Sequence, residues 1–130
     1  MADLNRTNVR FVNRNPGSGT RLWFDTELKK TGGVTAAIHG YDLIVATHTE
    51  AASLIESGRA DAAIGLQAAA HQHGLDFIPL FEERYDLVLP HENEKILSPI
   101  LDHIQAVDFR RSLDSLTGYN TAHSGEIIPI

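Results

Sequence analysis

Apolar and polar positions alternate from Val9 to Val12, and this period predicts a short strand over 9–13. The polar turn Arg14-Asn15-Pro16-Gly17-Ser18-Gly19-Thr20 follows. Beyond it the period lengthens: Phe24 and Leu28 stand one helical turn apart, predicting a helix over 18–30 with both on its buried face. Lys29 and Lys30 suit the negative C-terminal end of the helix dipole, and Thr31-Gly32-Gly33 ends the element. Residues 1–8 read as a loose polar lead-in. Val34 to Ala46 reads as a loop running into a strand near 42–46.

The next unit is clearer. Thr47 followed by Glu50 has the form of a capping box, and Ala51, Leu54 and Ile55 mark one helical face. Gly58 fits the position just past the helix end. Arg59-Ala60-Asp61-Ala62-Ala63-Ile64-Gly65 reads as a buried strand of small residues. A short helix over 67–73 stops at Gly74. Strands are expected over 76–81, where Pro79 points to a sheet edge or a crossing, and over 85–89, closed by Pro90. In the tail, Ser98 as cap and Pro99 at the first helical position open a helix carrying the stripe Leu97, Ile100, Leu101 and Ile104. Asp108 caps a second, with Phe109, Leu113 and Leu116 on one side and Gly118 at its end. The apolar end, Ile127-Ile128-Pro129-Ile130, is expected to dock on this subunit or a neighbour. Strands alternating with helices define the class as α/β, a sandwich with a partly parallel sheet.

Composition narrows the function. At 130 residues the chain is long enough to bury a core. A formal net charge of −6 disfavours nucleic acid as a direct partner, but a small anion answers to local donors rather than to the sum. The absence of cysteine excludes disulfides and thiolate metal sites. No stretch has the length of a membrane span, and the N-terminus carries no apolar secretory core, so the expected location is cytoplasmic.

The turn at 14–20 carries the candidate chemistry. A strand, a glycine-rich turn and a helix start present free backbone N–H groups to an anion. Ser18 and Thr20 add hydroxyls, and either also serves as a helix cap. An ordinary capped turn accounts for the same residues. No lysine follows the second glycine, so the turn is not a nucleotide P-loop. Arg14 and Arg21 flank it, each facing either an anion or solvent. Ser18 lies outside a G-x-S-x-G elbow and has no activating partner by sequence, so no enzyme is expected. Trp23 reads as core more readily than as a pocket floor. His71 and His73 fall on different helix faces and make no metal site there. His48, at a helix start, reads as a capping or surface residue before a ligand contact.

Three segments together, Phe11 to Arg21, Thr47 to Gly65 and Phe81 to Pro90, resemble the periplasmic-binding-protein-like domain of the molybdate/tungstate-binding type. That domain also occurs in cytoplasmic, regulator-associated proteins. The resemblance spans about 8–120. It implies a three-layer lobe with a mixed, mostly parallel sheet and a C-terminal helical segment. It also implies a ligand held between two lobes. On that reading 1–130 is a single binding-protein-like domain: about 8–84 is the second lobe, and 85–130 is the return segment of an incomplete first lobe. The implied ligand is a small oxyanion, molybdate or tungstate, with no cofactor and no metal. The implied donors are Ser18, Gly19 and Thr20, with Thr49 and Tyr85 as further candidates, and Arg14 joins the ligand-binding set from its place beside the turn. Apolar surface left by the incomplete lobe implies a homodimer or a chain that supplies the missing lobe. The alternative function is a remnant lobe that dimerises or docks on a protein and takes no small ligand.

Overall fold

The computed structural model describes residues 2–128 and, at His91, the backbone. It contains two compact units, Met1–Ile78 and Pro79–Ile130.

The first unit is built around β1 (Phe11–Arg14). The helix α1 (Gly19–Lys30) follows the glycine-rich turn. Then come β2 (Ile44–Val45), α2 (His48–Glu56), β3 (Ala62–Ala63) and α3 (Gln67–Gln72). The strand order is β2-β1-β3, and both pairings are parallel. The described strands are therefore uniformly parallel rather than mixed. Alternation along β1 splits its side chains between two layers. Phe11 packs with Phe24, Leu28 and Ile38, with Trp23 and Tyr41 partly buried against them. Val12 packs with Ala51 and Ala60, with Leu54 and Ile55 alongside. The Phe11 and Phe24 rings stack with centroids 5.0 Å apart. Trp23 is thus part of the core.

The local rules hold at the helix ends. Ser18 Oγ accepts from Arg21 N at 3.1 Å and caps α1. At α2 the capping box is complete: Thr47 Oγ1 accepts from Glu50 N, and Glu50 Oε2 accepts from Thr47 N, each at 3.0 Å. Gly17, Gly58 and Gly74 have φ of 91°, 69° and 63°, conformations that side chains strain to adopt. Gly40 is held by space as well, since a Cβ there would lie 2.1 Å from the Phe11 carbonyl oxygen. At the opposite end of the sheet, the Asp61 carboxylate accepts from Arg10 N, Nε and Nη2, each at 2.8 Å. This clip joins the start of β1 to the start of β3 and holds the Asp61 carboxyl far below the usual range.

Several expectations are corrected. The lead-in is not loose: Ala2–Asn5 forms a 3-10 turn, and Leu4 packs on the Phe11 cluster. Residues 76–81 and 85–89 form neither strand. No described backbone ladder reaches them, and an extended apolar run becomes a strand only when a neighbour supplies one. In the second unit, α4 (Glu94–Gln105) begins before Ser98, with Pro99 inside it. Pro99 cannot donate to the Lys95 carbonyl, and Ser98 Oγ does so instead at 3.2 Å. The helix α5 (Val107–Asp114) takes Ala106 as its cap residue, leaving Asp108 in the first turn. Ring contact between His103 and Phe109, at 5.4 Å, joins the two helices. Ile127 and Ile128 are exposed rather than docked on this chain, and Pro129 and Ile130 lie outside the described residues.

Phe24→Ala should cost about 3–5 kcal/mol, read as a lowered urea midpoint, because the ring is fully buried against Phe11. The Asp61 contribution has a definite sign. Its folded pKa is depressed, so its stabilisation is complete above about pH 4 and is lost as pH falls below that. The urea midpoint of the wild type should therefore drop on acidification more steeply than that of Asp61→Asn. Parallel curves would show that the clip contributes nothing.

Candidate functional site

In an all-parallel sheet every strand ends at the same edge, and each following helix begins there. Arg14 is the last residue of β1, and Ala46 follows β2 at the same edge. Asn15 N donates to Val45 O at 3.0 Å, and Arg14 Nη2 to Ala46 O at 2.7 Å, so the turn after β1 is tied to the end of β2. Arg21 Nη1 reaches back to Arg14 O at 3.0 Å, while its guanidinium lies 4.9 Å from the centre of the Tyr41 ring.

The head of α1 is partly spent. Ser18 N donates to Asn15 O at 3.2 Å, and Arg21 N is capped by Ser18 Oγ. The N–H groups of Gly19 and Thr20 have no acceptor among the described residues. Ser18 is thus a cap whose hydroxyl hydrogen is not used in that bond. Thr20 lies buried on the face of α1 that carries Phe24 and Leu28.

Arg14 carries the least satisfied side chain of the group. Its Nε and Nη1 are buried and unpartnered, as are Asn15 Oδ1 and His48 Nδ1. His48 opens α2 and approaches Gly65, beyond β3, where a Cβ would stand 3.6 Å from Nδ1. Burial, reinforced by the Arg14 charge, pushes the His48 pKa down and keeps the ring neutral. Glu50 is held ionised by the N–H groups of Thr47 and Ala46, and the Arg14 charge acts in the same direction. That carboxylate therefore serves the start of α2, accepting from Ala46 N and Thr47 N.

The expected residues divide between the units. Arg14, Ser18, Gly19, Thr20 and Thr49 belong to the first. Thr49 is exposed in the first turn of α2. Tyr85 belongs to the second, 75% exposed, with its hydroxyl 3.5 Å from Glu83 Oε2. Asn15 and His48 were not among the expected binding residues. The strand-turn-helix pattern marks their region, but their unpartnered atoms follow from packing. His73, expected to sit apart from His71, pairs with Glu56 at 2.7 Å and ties α3 to α2. Among the described residues no cluster of three or more histidine and carboxylate side chains is placed to hold a metal. No described helix is long and apolar enough to cross a membrane.

A parallel sheet with helices on both faces, and buried donors at its carboxyl edge, defines a binding-protein-like α/β lobe. The chain belongs to the PBP superfamily: the family's domain model matches residues 1–105. It is 42% identical over 126 residues to the uncharacterized protein YvgK of Bacillus subtilis, covering 97% of this chain and 41% of that protein. It is 34% identical over 110 residues to an uncharacterized protein encoded in the 5′ region of a 2Fe-2S ferredoxin gene of Clostridium pasteurianum, covering 82% of this chain and 97% of that protein. The chain thus spans less than half of the Bacillus relative and nearly all of the Clostridium one. No solved structure matches.

Replacing Arg14 with glutamine should raise the His48 titration midpoint towards the ordinary histidine value, followed by NMR of the ring protons. Because the folded pKa is depressed, the His48 contribution to stability is complete above about pH 6.5 and declines as pH falls below that. An unchanged midpoint in Arg14→Gln would show that the two groups do not share a field.

Proposed function

We propose that the chain is a non-enzymatic receptor domain for a small tetrahedral oxyanion, the class to which molybdate and tungstate belong. The single observation that carries this reading is the Arg14 guanidinium. The residue is half-buried, but its Nε and Nη1 are buried without partners, which is costly, and an anion seated on them offsets that cost. The Gly19 and Thr20 N–H groups, at the start of α1, add neutral donors suited to the same charge. Ser18 and Thr49 are the hydroxyl candidates of the same unit. Membership of a superfamily of binding proteins supports a binding role. The resemblance at residues 11–21 is what favours an oxyanion, a regulatory association and a cytoplasmic setting.

A second reading has its own observation. Ile78, Leu80, Leu87 and Val88 are exposed along a segment without helix or strand. Apolar surface of that kind favours a homodimer or docking on a further polypeptide.

Isothermal titration with molybdate, tungstate, sulfate and phosphate tests the receptor reading. Heat is expected with at least one, and Arg14→Ala should weaken that binding by about tenfold or more. Silence with all of them, together with a dimer by light scattering, would favour the interaction module.

A further inference from the structure

Residues 80–89 lie between Pro79 and Pro90 and form neither helix nor strand. Their side chains nevertheless alternate as in a strand. Arg84 Nε pairs with Asp86 Oδ1 at 2.8 Å, and Tyr85 Oη lies 3.5 Å from Glu83 Oε2. The two contacts join residues two apart and are offset by one position, as extended backbone requires of its two faces. Among the described residues, Glu82, Glu83, Arg84, Asp86, Leu87 and Val88 make no backbone–backbone hydrogen bond. Leu80, Leu87 and Val88 are exposed. An extended apolar run with an open backbone edge is a template for adding a strand from another chain.

The order of charges says which chain. Two copies related by a two-fold axis pair antiparallel, with one residue facing its own copy at the centre. Centred on Glu82, Glu83, Arg84 or Asp86, such a ribbon sets a charge against itself. Centred on Tyr85, it sets Arg84 opposite Asp86 on both sides of the axis, Glu83 opposite Leu87, Glu82 opposite Val88 and Phe81 opposite Leu89. In that register opposite charges meet and like charges do not. We infer that residues 81–89 are the dimer strand of this chain, pairing antiparallel about Tyr85 with the same segment of a second copy. Pro79 and Pro90 cannot donate to a ladder and bound it on either side. This rests on the homodimer reading of the exposed apolar segment and narrows it to one strand and one register.

The test is sedimentation equilibrium of the full chain over roughly 10 µM to 1 mM, the range of a small interface. Salt at about 0.15 M screens net charge. The wild type should dimerise within that range. Asp86→Arg and Arg84→Asp, each alone, set like charges against one another at both points and should weaken the dimer by about tenfold or more. Mixed in equal amounts, the two variants restore both pairs. Heterodimers, identified by native mass spectrometry, should then form with a constant within about threefold of the wild type's. A contact inside one chain is not restored by mixing. Both side chains are exposed, and circular dichroism confirms that each variant is folded. A dimer that neither variant weakens, or a mixture that does not recover, would overturn the strand and its register and leave the homodimer reading intact. A wild type that stays monomeric throughout would end the homodimer reading and this inference with it.

Discussion

The burial of β1 on both faces constrains the first unit more than any other feature. Phe11 and Val12 are removed from water on opposite sides, so each side needs a helix to cover it. The backbone between them must be paired within the sheet, and it is paired in parallel with β2 and β3. Parallel pairing requires crossovers, and crossovers on both faces bring α1 and α2 to begin at the same edge. The concentration of helix starts beside Arg14 follows from how a short apolar strand is kept dry.

That geometry concentrates positive potential in a chain whose formal net charge is −6. Among the described residues the Arg14 side chain has one hydrogen-bond acceptor, the Ala46 carbonyl, and Glu50, the nearby carboxylate, is engaged by the N–H groups that start α2. His48 stays neutral because burial and the Arg14 charge both oppose a second cation. At this edge Arg14 Nε and Nη1 and Asn15 Oδ1 are buried without partners. Superfamily membership is consistent with a binding role, since strand ends are where open α/β sheets take ligands.

Much of the local structure was legible without coordinates. Ser18 as a cap, the Thr47–Glu50 capping box, the Phe24–Leu28 face and the stops at Gly58 and Gly74 depend on residues within a turn or two of one another. The α/β class was legible for the same reason, since alternation and helical spacing are local periods. The strands expected over 76–81 and 85–89 show the limit of that reasoning. Apolar, β-branched content makes a segment able to pair, but a ladder needs a second segment.

Pro99 marks a similar limit at shorter range. It looked like a helix start, and the Ser98 hydroxyl lets α4 run through it by taking the carbonyl that proline cannot serve. The candidate site divides along the same line. Sequence determined the turn, its capping and the presence of an arginine beside it, because these rest on near neighbours along the chain. Tertiary structure alone decided that Arg14 spends one nitrogen on Ala46, 32 residues away, and keeps two buried without partners. Whether a buried polar atom is satisfied depends on what distant parts of the chain bring to it, and no local pattern records that.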